Sequence, residues 1–332
     1  MTGRELRNVA LGALGLGAAA FVPFVVSGYW LSLCVSIAMY TVLATSWALF
    51  SGPTHYISLA TAAFFGLGMY IVGGGLNLMP LWLLVLAAGV VGAVLAALIG
   101  LATLRLSGVY FVIFTLGLAE LVREIMAWAQ HTMGSSSGLY VLTGVTEQMI
   151  YWQLLVLAAL VYALGWWIGR SRLGFALRII GNDEVVAAHG GINTAWTKIV
   201  MFMISGVFAA VTGAVLAPRW TYIEPTIAFS AMISFQVVIM ALLGGAHRLW
   251  GPLVGVIPFT LLWDVISAKF PNQTALLLGV SFLLIVYLVP NGVAGLIESR
   301  FARRTSSPSP WKDDVRTNRI GDWIPLWPAR KL

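Results

Sequence analysis

Long apolar runs cut by short polar breaks make up almost the whole hydrophobic pattern of this chain. From Pro80 to Leu104 there are 25 residues without a charge. An α-helix needs about 20 apolar residues to cross a hydrocarbon core of about 30 Å, so such a run is ample for one span. The pattern predicts ten spans, at about 9–26, 29–50, 54–76, 80–104, 109–128, 151–169, 197–217, 228–246, 251–268 and 274–290. The third is the weakest, opening with Pro53, His55 and Ser58 and ending in Gly73-Gly74-Gly75. It reads either as a complete span or as a re-entrant half-helix, a form tolerated only where protein or water shields the backbone.

One polar break differs from the rest. Residues Arg170 to Lys198, RSRLGFALRIIGNDEVVAAHGGINTAWTK, hold four basic and two acidic residues between two apolar runs. Asn182 suits a helix N-cap, because its short side chain accepts a hydrogen bond from a free backbone N–H. Asp183 and Glu184 then fall in the first turn, where the helix dipole favours negative charge. Val185 to Ala188 continue the helix, and Gly190-Gly191 supply a left-handed stop. The prediction is a soluble helix of about two turns, tethered at the membrane surface by spans on both sides. That design suits a docking knob for a cytoplasmic partner.

Composition narrows the class. Sixty per cent of residues are apolar and nine per cent are charged, too few charges to cover a water-soluble domain of 332 residues. The chain reads as an all-α, polytopic helical membrane protein. Basic residues then orient it. With the N-terminus inside, the inner face takes Arg4, Arg7, Arg105, Arg170, Arg172, Arg178, Lys198, Arg248, Arg300, Arg303 and Arg304, and the outer face takes Arg123, Arg219 and Lys269. Ten spans return the C-terminus to the inside. The net charge of +7 therefore speaks for cytoplasmic loops against an anionic leaflet, not for nucleic acid.

The basic, apolar N-terminus with Ala18-Ala19-Ala20 has the outline of a signal peptide. Its apolar run continues unbroken through Phe21 to Val26, which favours an uncleaved first span. Cys34 is the single cysteine. It excludes an internal disulfide and reads as small apolar packing. The stretch 299–332 has a different composition, with Ser-Pro-Ser-Pro at 307–310 and Trp311, Trp323 and Trp327, and reads as a loose cytoplasmic tail behind a transmembrane domain at 1–298.

Chemistry is sparse. There is no phosphate-binding Gly-x-x-x-x-Gly-Lys-Ser/Thr loop, no metal spacing among His55, His131, His189 and His247, and no recognisable catalytic triad. No catalytic residue, metal or cofactor is expected. Glu120, Arg123 and Glu124 lie on one helix face. They read either as lining of a solute path or as an ion-paired cluster near the outer interface. Asp264 reads as a proton relay or as an interfacial cap near Lys269. Gly66, Gly68, Gly89, Gly92, Gly206, Gly213, Gly251 and Gly255 are mostly packing devices that let helices approach closely.

Several blocks carry a family resemblance in the expected order. They are Ser58-Leu59-Ala60-Thr61-Ala62-Ala63-Phe64-Phe65-Gly66, Leu104-Arg105-Leu106-Ser107-Gly108-Val109-Tyr110-Phe111 with Thr115, Leu116 and Glu120, and Gly174-Phe175-Ala176-Leu177-Arg178. Asn182-Asp183-Glu184, Ala187-Ala188, Gly191-Ile192-Asn193, Leu243-Gly244-Gly245 and Trp250-Gly251-Pro252 follow. Over about residues 30–297 the chain resembles the membrane permease subunits of branched-chain amino acid ABC importers, of the LivM type.

The resemblance implies that fold, with about ten transmembrane spans, and an alternating-access mechanism in the bacterial cytoplasmic membrane. It implies partners as well: a second, LivH-type permease subunit, two cytoplasmic ATPases and a periplasmic solute-binding protein. The loop 170–198 becomes the region that couples to an ATPase, with Gly174, Arg178, Asn182, Asp183, Glu184, Ala187, Ala188, Gly190 and Gly191 as its residues. Ser58, Thr61, Phe64, Tyr110, Thr115 and Glu120 become candidates for the translocation path. A stand-alone proton-coupled carrier using Glu120, Glu124 or Asp264 is the alternative. One departure matters: the family's Gly-Gln-x-Ser-Leu-Gly-His opening of the third span is here His55-Tyr56-Ile57-Ser58-Leu59-Ala60-Thr61, which changes the polarity of that segment.

Overall fold

A computed structural model describes residues 3–103, 108–132 and 138–288, all within one compact unit of the chain. Arg105, with the rest of its Leu104–Ser107 block, and the 299–332 tail lie outside the described residues. The helices run α1 Gly3–Val25, α2 Tyr29–Thr54, α3 Thr61–Gly75, α4 Leu81–Thr103, α5 Val109–Thr132 and α6 Glu147–Arg170. Two short helices follow, α7 Arg172–Asn182 and α8 Glu184–His189, and then α9 Thr194–Leu216. The chain closes with α10 Pro225–Ala228, α11 Ala231–Gly244, α12 Gly251–Lys269 and α13 Thr274–Leu288. Two-residue strands β1 (Leu139–Tyr140) and β2 (Tyr222–Ile223) pair antiparallel, Leu139 opposite Ile223.

Every predicted apolar segment contains a helix. Among the described residues, six helical segments are long and apolar enough to cross a membrane: α2, α4, α6, α9 with its short extension to Arg219, α10 with α11, and α12. The apolar run of α5 is broken by Glu120, Arg123 and Glu124, although the helix itself is continuous. With 15 and 14 residues, α3 and α11 rise only about 20–22 Å at 1.5 Å per residue. The chain at 55–60 before α3 is not helical, and α11 is separated from α10 by the non-helical Phe229 and Ser230.

Contacts between helix ends give the arrangement. At one end α7 meets the last turn of α2, where a Cβ on Gly181 would lie 2.1 Å from the Pro53 carbonyl oxygen. The turn after α11 reaches the same place, with His247 Nδ1 3.0 Å from the Gly52 carbonyl oxygen. At the opposite end the Tyr29 hydroxyl donates to Asp264 late in α12, so Asp264 is held by the start of α2. There too the Tyr151 hydroxyl donates to the Ala19 carbonyl at 2.9 Å, tying α6 to α1.

Small residues set the interhelical distances. On α3, a Cβ at Gly68 would sit 1.9 Å from the Ala210 carbonyl oxygen of α9; on α9, one at Gly213 would sit 2.0 Å from the Phe65 carbonyl oxygen. The crossing of α11 and α12 is equally close, with a Cβ on Gly255 falling 2.1 Å from the Met240 carbonyl oxygen. Lipid offers no hydrophobic drive for helices to associate, so close backbone approach and dispersion hold such a bundle. Around these contacts Phe50, Phe64, Phe111 and Phe202 form a buried aromatic cluster.

Candidate functional site

Local sequence explains the 170–198 loop. The Ser171 hydroxyl accepts from the Gly174 N–H at 3.4 Å and starts α7. The predicted surface helix is α8, but its cap is Asp183, not Asn182. Asp183 is extended and its carboxylate accepts from Val185 N–H at 2.8 Å and Val186 N–H at 3.1 Å. Asn182 is instead the last residue of α7, because that helix uses the same polar run to terminate. Gly191, with φ of 81°, provides the left-handed turn, and the Ile192 N–H returns to the Ala187 carbonyl at 3.1 Å. The two short helices bury Gly174, Leu177, Ile180 and Ala187 and expose Arg178, Phe175, Val185 and Val186.

Glu184 does more than favour the helix dipole. Its carboxylate lies 2.6 Å from the Lys198 ammonium of α9, a side chain only 3% exposed. It also accepts from the Tyr56 hydroxyl at 3.0 Å, and the Lys198 ammonium sits 4.6 Å from the centre of the Tyr56 ring. Burial pulls the Glu184 pKa up, but the Lys198 bond and charge and the Tyr56 bond outweigh it and hold the group below the usual carboxylate range. Tyr56 in turn packs edge-on against Phe111 of α5, with ring centres 5.3 Å apart. One clamp thus joins α8 to α9, to the segment before α3 and to α5. Sequence reasoning assigned Lys198 only to orientation and Tyr56 only to a family motif. The available signal was a lone lysine at the start of an apolar span, four residues past the loop's Thr194.

Between α2 and α3 the backbone leaves the helix at His55 and resumes it at Thr61. The intervening polar groups are met by side chains. Trp47 Nε1 donates to the Ser58 carbonyl at 2.8 Å. Thr115 Oγ1 accepts from Leu59 N–H at 3.1 Å. Ser234 Oγ donates to the Leu59 carbonyl at 2.8 Å and accepts from Ala62 N–H at 2.9 Å. An unpaired backbone group at this depth costs several kcal/mol in hydrocarbon; here three helices supply the partners. The predicted third span thus holds a 15-residue helix, α3, behind a non-helical segment at 55–60. Thr115→Val should strand the Leu59 N–H and lower stability by about 1–3 kcal/mol, visible as a lower Tm of the purified protein.

The six path candidates separate into two groups. Ser58, Thr61, Phe64 and Thr115 are buried within the chain around the break, whereas Tyr110 is 75% exposed. Glu120 and Glu124 pair with Arg123 at 2.9 and 2.8 Å on the same helix as the exposed Ile113, Leu121, Ile125 and Trp128. The three charged residues are thus ion-paired, on a helix with a large exposed surface.

The family model for the branched-chain amino acid transport system / permease component matches residues 29–289. The chain belongs to that family. The high-affinity branched-chain amino acid transport system permease protein LivH of Escherichia coli (strain K12) is 27% identical over 286 residues, covering 77% of this family member and 91% of LivH. LivM of the same organism is 23% identical over 308 residues, covering 82% and 71%. The ribose import permease protein RbsC of Haemophilus influenzae matches 104 residues at 28% identity, about 30% of either chain. Similarity to both LivH and LivM places the chain in the family without separating the two halves.

Proposed function

We propose that this chain is one of two different permease subunits of a bacterial ABC importer, moving branched-chain amino acids or related small polar solutes inward by alternating access. The observation that carries the mechanism is the Glu184–Lys198–Tyr56 clamp. It gives a partner docked on the exposed Phe175, Val185 and Val186 of α7 and α8 a rigid hold on α9, on the break before α3 and on α5. ATP-driven closure of two cytoplasmic ATPases pushes α8, and the clamp transmits the movement. A LivH-type second permease and a periplasmic binding protein complete the assembly.

We place the loop end of the bundle in the cytoplasm, with both termini there and ten spans in all. Exposed tryptophans support two interfacial belts, Trp166, Trp167, Trp196 and Trp250 at that end and Trp30, Trp82, Trp128, Trp152 and Trp220 at the other. The path runs along the uncovered face of α5, past Tyr110 and Glu120. Charged groups there are costly against lipid and are better covered by the second permease and water. Ser58, Thr61, Phe64 and Thr115 shape the break behind it.

Purification of the tagged chain from its native membrane in mild detergent, with subunits identified and counted, tests the reading. One other permease and two ATPases are expected. Recovery alone, with uptake in proteoliposomes under a proton gradient, would replace the importer by a carrier.

A further inference from the structure

The first helix touches the bundle at two levels. At one, the Ala19 carbonyl accepts from the Tyr151 hydroxyl at 2.9 Å, and Phe24 meets Trp152 edge-on with ring centres 6.1 Å apart. At the other, a Cβ on Gly12 would lie 2.7 Å from the Trp250 ring. Between these contacts α1 stands off, and a Cβ on Gly15 would meet nothing within 4 Å. The gap is a cavity of about 680 Å³ walled by α1, α2, α6 and α12. Along α6 its lining runs from Tyr151 to Tyr162, about 16 Å at 1.5 Å per residue. It also follows α1 from Gly12 to Ala19 and α2 from Cys34 to Thr41. The cavity is therefore a slot parallel to these helices, close in length to one leaflet of a hydrocarbon core about 30 Å thick.

Its chemistry selects hydrocarbon. None of its described lining residues is charged, and its hydroxyls are already engaged within the chain. Thr41 donates to the Ile37 carbonyl at 2.7 Å, Tyr151 donates to Ala19, and Tyr162 accepts from Thr45 at 3.3 Å. A buried water needs about two to four polar partners, and an amino acid zwitterion needs one for each charge. Neither finds them here. A partner's helix is excluded because α1 already occupies that side of the slot. Left empty, a void of this size would cost about as much as the whole net stability of a folded domain. The geometry points to one acyl chain of a membrane phospholipid as the occupant, lying lengthwise between α1 and the other three helices. The acyl chain seats α1 on the bundle, and its headgroup stays at the membrane surface.

The test uses the protein as purified with its partners, reconstituted in phospholipid vesicles that contain a phosphatidylcholine with a diazirine in one acyl chain. After irradiation, peptide mass spectrometry should find label on Tyr151 and Tyr162, which are 4% and 7% exposed and closed to lipid around the protein. Label on the exposed Trp82 and Leu98 of α4 reports that surrounding lipid. Gly15→Phe and Ala38→Phe each put a ring into the slot from a different wall. Both should lose most of the Tyr151 and Tyr162 label, keep the α4 label, and lose less Tm than the wild type on delipidation. Labelled α4 with unlabelled Tyr151 and Tyr162 in the wild type overturns the proposal, whether or not the variants fold. Equal slot label in the wild type and both folded variants overturns it as well. Neither readout involves transport, so the result is independent of the importer reading.

Discussion

Glu184→Gln is expected to cut ATP-driven uptake at least tenfold in proteoliposomes containing the binding protein. The substitution keeps the shape of the side chain but removes the carboxylate charge 2.6 Å from the Lys198 ammonium, a side chain 3% exposed. Removing one partner of a buried pair costs about 3–5 kcal/mol. Because Glu184 itself is 37% exposed, water screens part of that, and about 2 kcal/mol is the reasonable figure for loosening α8. Adding Lys198→Met to the same chain removes the buried charge and should restore most of the lost thermal stability. Lys198→Met also deletes the contact between the Lys198 ammonium and Tyr56, so the double variant should still hydrolyse ATP without matching uptake. Wild-type uptake in the double variant would mean that the clamp holds the fold and transmits nothing.

The second large effect lies in the membrane core. Gly68→Ala or Gly213→Ala should abolish recovery of folded protein, because each added Cβ would sit about 2 Å from a backbone carbonyl oxygen of the facing helix. Backbone cannot step aside as a flexible side chain can. At Gly279 on α13 a Cβ meets nothing within 4 Å. There alanine should be tolerated, or stabilise by up to about 1 kcal/mol through helix propensity. Detergent-solubilised yield and Tm of the three variants measure the contrast. Equal tolerance at all three positions would show that α3 and α9 are not packed at the observed distance.

Much of this was legible in the chain. The apolar run beginning at Pro80 holds the helix α4, Leu81–Thr103, because a membrane-length apolar segment has no other way to satisfy its backbone. The surface helix at 184–189 followed from local rules of capping and glycine stops, which act within a few residues. Its cap shifted from Asn182 to Asp183 because two helices, α7 and α8, share that polar stretch. Choosing between adjacent polar residues depends on where α7 ends, and that is set by its packing on Pro53 and Ile168.

Local pattern also located the weak third span but left its form open. The side chains that permit the break, Trp47, Thr115 and Ser234, come from α2, α5 and α11. Nothing in a window around His55 announces them.

By itself, then, the sequence determined the class, the helical segments, the loop helix and the glycines that bring helices close, since each depends on hydropathy or on residues near in the chain. The tertiary structure alone decided that Lys198 and Tyr56 share Glu184, that Thr115 and Ser234 support a break, and that Tyr110 is exposed while Ser58 and Phe64 are buried. Those are pairings of residues 14 to 175 positions apart or differences in burial. Hydrogen bonding and burial at such separations are fixed by how helices pack, and periodicity along one helix carries no information about its neighbour.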